Sequence, residues 1–256
     1  MKKSFFFFCI VFVISIIFIN DTTFGAEKRQ NRIVRVLLVT GGHDYETNHF
    51  MKLFQDNPSI SLQAVTHPKA HELFKTEASE KYDVVVLYDM WGKISEEAKK
   101  DFVNLLKNGK GLVALHHCLA SYQDWPEYTK IIGGKYHLNK RTVNGVEQPG
   151  STYKHDVTFT VNVSTTPHRV IRGITDFEIR DETYGNFEVL PDVTPLLTTT
   201  EPTSSKTICW THNYEKARVV YCALGHDHYA YENPNFKNLV YQAIRFVAPR
   251  NNASRQ

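Results

Sequence analysis

Cysteine is scarce in this chain. Four residues, Cys9, Cys118, Cys209 and Cys222, are scattered at wide spacings. Cys9 falls in an apolar leader, and the odd number that remains describes no disulfide framework. Charge of one sign is never concentrated either. Thirty basic and 27 acidic side chains give a formal net charge of +3, and no Lys/Arg block offers a footprint for nucleic acid. Beyond residue 19 no apolar run is long enough to span a bilayer, so no stable membrane insertion is expected of the mature chain. Internal repeats and low-complexity tracts are missing after the leader, which excludes solenoids and compositionally biased segments. The compact metal motif H-E-x-x-H is absent too, so any metal site must be assembled from distant residues.

What is present starts with Lys2 and Lys3 ahead of an apolar run, Phe5 to Ile19, 15 residues interrupted only by Ser15. That is short for a spanning helix and right for the core of a signal peptide. Thr23 and Gly25 supply small residues for cleavage before Ala26; an uncleaved anchor is the alternative. The expected organisation is a signal peptide at 1–25, a linker at 26–32, one domain at 33–250 with a β-rich insert at about 134–205, and a tail at 251–256. Such a protein is exported, and periplasmic if the source has two membranes. Losing Lys2, Lys3 and Asp21 leaves 28 basic and 26 acidic side chains, a net +2. All 12 histidines lie in the mature part, a supply that suits metal binding or proton transfer.

The domain alternates strands and helices. Ile33–Val39 and Tyr82–Tyr88 are continuous apolar, β-branched-rich runs of the kind covered on both faces, and Leu112–Leu115 follows a Gly-Lys-Gly turn. Helical stretches lie between them. Thr47–Gln55 buries Phe50, Leu53 and Phe54, while Ser95–Asn108 has a capping serine, Glu96 and Glu97 in its first turn and Gly109 at its end. A βαβα order requires a parallel sheet with right-handed crossovers, a flavodoxin-like α/β layout with helices on both faces. The insert alternates, as in Val157-x-Phe159-x-Val161-x-Val163, and reads as antiparallel. Within it Asp181–Tyr184 is expected in a loop. Thr207–Trp210 and Arg218–Leu224 form a strand pair, and a helix from Asn233-Pro234 ends at Pro249. His67 and His71 read as loop or helix-surface residues.

In such a sheet ligands bind at the carboxyl ends of the strands. Four ends carry polar chemistry: Gly42-His43-Asp44, Asp89, His116-His117 and Gly225-His226-Asp227-His228. Imidazoles and carboxylates converging there suit a divalent metal such as zinc, for which His116, His117 and His226 are the expected ligands. Without a metal the same groups serve as general acids and bases, with His43 and Asp44 assisting. Asp89, Trp91, Glu182, Tyr184, His228 and Tyr229 are candidates for contacting substrate, the aromatics by stacking on a sugar ring, although each also fits plain packing or solvation. His155 and His168 are weaker candidates. Cys118 reads as a small packing residue, and Cys209 and Cys222 as core.

Four segments, Val36–Tyr45 (VLLVTGGHDY), Gly111–His117 (GLVALHH), His168–Tyr184 (HRVIRGITDFEIRDETY) and Arg218–Asp227 (RVVYCALGHD), resemble the ThuA-like, trehalose-utilisation family in order and spacing. The resemblance covers about residues 33–248. It implies a class I glutamine amidotransferase-like fold and a link to carbohydrate metabolism, with disaccharides or their 3-keto derivatives as substrates. That superfamily carries a cysteine nucleophile on the turn where His116 or His117 stands here, with Cys118 one or two residues late. The expectation is an enzyme, a hydrolase or lyase acting on a small carbohydrate. A non-catalytic carbohydrate-binding protein and a Cys118-dependent amidase are the alternatives.

Overall fold

Five parallel strands make the centre of the molecule, and four antiparallel strands extend it. The computed structural model describes residue 1 and residues 32–249, so the expected leader, most of the linker and the tail lie outside the described residues. Contacts divide the chain into two units, Met1–Asn31 and Arg32–Gln256, and the second holds the fold. Among the described residues, no helix is long and apolar enough to cross a membrane.

The strands, in chain order, begin with β1 (Val34–Gly41), β2 (Ile60–Thr66), β3 (Val84–Asp89) and β4 (Gly111–Leu115). The insert begins with β5 (Gly134–Lys135), β6 (Arg141–Val143), β7 (Val146–Gln148) and β8 (Thr152–Val163). It runs on through β9 (Phe177–Gly185), β10 (Glu188–Val189) and β11 (Thr194–Thr198), and β12 (Thr207–Tyr214) and β13 (Ala217–Cys222) follow it. The helices are α1 (Thr47–Gln55), α2 (Thr76–Ser79), α3 (Glu96–Lys107), α4 (Pro126–Ile132), α5 (His228–Glu232) and α6 (Pro234–Val247). Nine strands form one sheet in the order β2-β1-β3-β4-β13-β12-β11-β8-β9. The first five are parallel and each later neighbour is antiparallel. This is the expected α/β sheet with its antiparallel extension.

Sequence period explains these elements. β3 and β4 are buried at every position, so both faces are covered and continuous apolar runs are required. α1 buries Phe50, Leu53 and Phe54, and α3 buries Ala98, Phe102, Leu105 and Leu106, the i, i+3, i+4 stripe in each case. The Ser95 hydroxyl accepts the Ala98 N–H, and Asn233 accepts those of Asn235 and Phe236. Gly42 turns the chain after β1 at φ +84°, where a Cβ would stand 2.1 Å from the Met90 carbonyl oxygen; only glycine fits.

Two expectations need correction. Asp181–Tyr184 is not a loop but the buried second half of β9, hidden in the sequence because its polar side chains face a polar interior. His67 is buried and bound to Asp89, since the turn after β2 folds it under the sheet edge. His228 and Tyr229 open a short helix, α5, which Asp227 caps by accepting the Tyr229 N–H.

Candidate functional site

The chain turns sharply after β4. His116 stands at φ 53°, in the left-handed region unusual for a residue with a side chain, and its carbonyl accepts the Tyr221 hydroxyl at 2.9 Å. Its Nδ1–H donates to the Ala223 carbonyl at 2.7 Å, which sets the tautomer and aims Nε2 inward. Around Nε2 lie the Tyr184 hydroxyl at 2.8 Å, Glu182 Oε2 at 3.1 Å and His226 Nδ1 at 3.3 Å. Burial alone would lower the pKa of His116, but the bond to Glu182 and the charges of Asp181 and Glu182 outweigh it and leave it raised. For Glu182 burial pushes upward and is outweighed by His116, His226 and Tyr184, so its carboxyl lies below the ordinary range. Burial, then His116, lowers His226.

The donor atoms make a small triangle. His116 Nε2, Glu182 Oε2 and His226 Nδ1 stand 3.1, 3.3 and 3.4 Å apart, and this is the one group among the described residues with three such atoms so close. A tetrahedral zinc with bonds of about 2.0–2.1 Å needs ligand atoms about 3.3–3.4 Å apart. Two imidazoles, a carboxylate and a free fourth position are the donor set of a catalytic zinc site. Outer contacts hold the set: the Ala223 carbonyl on His116, and His155 Nδ1 at 3.2 Å from Glu182 Oε1.

Beside the triangle opens a cleft of about 240 Å³. Met90, Leu119, Ala120 and Leu138 give it an apolar wall, Tyr136, Tyr153 and Tyr184 line it with rings, and His43, His117, His155 and Glu182 supply polarity. His117 is only 3% exposed and neither ring nitrogen has a hydrogen-bond partner. Its ring stacks on His43 at 4.6 Å and meets the edge of Tyr88 at 4.4 Å. Burial, followed by the neighbouring His116, His43 and His226, holds its pKa well below the usual value, so the ring is neutral.

The candidate residues therefore divide. His43, His116, His117, Glu182, Tyr184 and His226 are brought together. His117, expected as a metal ligand, is not in the compact donor set, and Glu182, expected only to touch substrate, is. Asp44 faces a separate depression with Thr40 and Thr47. Asp89 is wholly buried and accepts His67 Nε2–H at 2.9 Å, and Trp91 stacks on His67 at 5.2 Å; none of these lines the cleft. His228 donates to Glu46 from its backbone at 2.6 Å, and Tyr229 lies under the Arg180 guanidinium at 4.0 Å, again outside the cleft. Cys118 is wholly buried and burial pushes its thiol well up, which removes the thiolate an amidase would need. Tyr136 and Tyr153 line the cleft without any motif in the sequence that marks them, and His155, a weaker candidate by sequence, lines it too. Period-two spacing on β8 is the signal that finds Tyr153 and His155, since Tyr153 is paired with Tyr184 across β8 and β9, whereas Tyr136 follows β5 and carries no such signal.

Solved structures share this architecture. A ThuA-like protein from Parabacteroides merdae superposes with a TM-score of 0.69 at 20% identity, over 84% of this chain and 90% of that one. Another from Bacteroides uniformis gives 0.64 at 18% identity, over 88% and 95%. Part of a β-galactosidase from Bacillus circulans sp. alkalophilus gives 0.53 at 10% identity, over 86% of this chain and 32% of the enzyme. At these identities the likeness is one of fold. Among curated proteins none matches the sequence. Residues 35–247, nearly the whole folded unit, match the family model described as ThuA, trehalose utilisation, and the chain belongs to the ThuA family.

Proposed function

We propose that this protein is an exported carbohydrate-processing enzyme, a hydrolase or lyase acting on glycosides, disaccharides or their 3-keto derivatives at a divalent metal held by His116, Glu182 and His226. The observation that carries the proposal is the triangle of donor atoms 3.1–3.4 Å apart at the edge of a tyrosine-lined cleft. Export rests on the run Phe5–Ile19 behind Lys2 and Lys3. The family's link to trehalose utilisation supports a sugar as substrate. So does the cleft: about 240 Å³ is small beside sites for drug-sized ligands and suits one sugar ring against tyrosine faces.

A zinc-like ion in this donor set would supply Lewis acidity toward a substrate oxygen. The chain's own groups do the rest. Ala223 orients His116, and His155 steadies Glu182. His117, whose nitrogens have no protein partner, and His43 stacked on it would accept and pass on a substrate proton. A 3-keto-glycoside makes full use of this arrangement. Removing the C2 proton beside the carbonyl leaves an electron pair that expels the glycosidic oxygen from C1, and that oxygen departs with a proton as the free sugar. No water is consumed, and the paired carboxylates of ordinary glycosidases are not needed.

Elemental analysis and turnover of a 3-keto-disaccharide test this on the untagged mature protein, with His116→Ala and His117→Ala beside it. Near-stoichiometric metal is expected in the wild type and in His117→Ala but not in His116→Ala, with turnover lowered about 10²-fold or more in both variants. Metal kept by a folded His116→Ala, or absent from all three proteins, would sink the metal centre. Saturable sugar affinity that survives chelation, without turnover of any glycoside or keto-sugar, would replace the enzyme by a binding protein.

A further inference from the structure

Two of the three donors are gripped by one buried carboxylate. Asp181, on β9, is 1% exposed. Its Oδ2 accepts the Gly225 N–H at 2.7 Å, and its Oδ1 accepts the N–H groups of His226 at 2.9 Å and Glu182 at 2.8 Å. Glu182 and His226 reach the site from parts of the sheet that are not paired with each other. β9 is the last strand of the extension and lies four places from β13, after which the Gly225–His226 turn follows. No direct strand pairing links β9 to the Gly225–His226 turn, and the carboxylate of Asp181 bonds the two at the site itself.

We propose that Asp181 is the positioning residue of the metal centre, fixing the backbone of Glu182 and His226 so that their donor atoms keep the spacing one ion requires; this rests on the metal reading above. The chemistry explains why a charged residue is buried here. A buried carboxylate is tolerated when several donors reach it, and three backbone N–H groups do. An asparagine has only one oxygen, so its NH₂ group would confront at least one of these N–H groups. The turn being held depends on a glycine, which has no Cβ to restrict its backbone, so it needs a tether from outside. Gly225 sits at φ +111°, and a Cβ there would lie 2.7 Å from Phe236. With Glu182, Asp181 also brings the local negative charge to that of two carboxylates, which offsets a divalent cation.

The test is the zinc dissociation constant of wild type, Asp181→Asn and Asp181→Ala, measured by competition with a chromophoric chelator, with the visible spectrum of the cobalt-substituted proteins and circular dichroism alongside. Both variants are expected to fold, to bind zinc about 10–100-fold more weakly and to show altered cobalt bands. A lowered melting temperature with unchanged affinity and unchanged cobalt spectrum would mean a purely structural Asp181 and would overturn the proposal. Wild-type protein that binds no metal would instead remove the reading beneath it. If neither variant folds, amide exchange on the wild type decides: zinc should slow exchange at Gly225 and His226, and equal rates with and without zinc would refute the latch.

Discussion

His116 and His117 are neighbours in sequence and opposites in circumstance. One has every ring nitrogen engaged, the other none. The pair was visible in the sequence as two imidazoles closing a strand, but a turn at φ 53° decides which of them looks toward Glu182. A third histidine shows what burial does where the nearby acid, Glu72, is too weak to offset it. His71 lies against the Tyr122 hydroxyl at 3.2 Å, and burial, then the nearby His67, lowers its pKa to about 4. Above pH 6.5 both folded and unfolded chains hold this ring neutral and it contributes nothing to pH dependence. As pH falls from about 6.5 toward about 4 the unfolded chain takes up a proton that the folded one refuses, so stability is lost across that window. His71→Asn should flatten it. Urea melts of both proteins at pH 7 and pH 4.5 check this, and an identical pH dependence would contradict it.

Helices and strands were legible to different degrees. The spans expected for α1, α3 and α6 match the structure within a residue or two, because apolar period and capping residues are local signals. The Ser95 cap gives a clean measurement: Ser95→Ala leaves the Ala98 N–H unpaired at an exposed helix start and should cost about 1 kcal/mol by chemical denaturation, with sugar binding unchanged. β9 was half legible. Phe177-x-Ile179 alternates, but Asp181–Tyr184 is polar and buried, so its hydrophobic pattern ends where its function begins. The same applies to β8, whose register shifts between Lys154 and Val157, next to His155.

At the scale of the molecule the thiols report on the fold and on the leader. Cys118, Cys209 and Cys222 are free and buried, so the native protein should react with a thiol reagent far more slowly than the denatured one. Denatured without reductant, the chain should show three thiols if cleavage precedes Ala26 and four if Cys9 is retained. A single thiol in cleaved protein would mean that Cys209 and Cys222, opposed across β12 and β13, had been oxidised to each other. The site is likewise a property of the whole sheet. His116 follows a strand at its centre, His226 follows the neighbouring strand, and Glu182 belongs to its last strand.

The sequence by itself determined the α/β class, the buried central strands, the helix spans and the gathering of polar residues at strand ends. Each follows from local period, or from the rule that parallel strands present their carboxyl ends together. Only the tertiary structure decided that Glu182 rather than His117 completes the donor set, that Asp89 is bound to His67 under the sheet edge, and that Tyr136, Tyr153 and His155 line the cleft. The Asp89–His67 bond joins the end of β3 to the turn after β2, and the other two facts depend on where the antiparallel extension brings β8 and β9. That placement is held by packing and by hydrogen bonds between residues such as Asp181 and Gly225, 44 positions apart, and no local pattern records it.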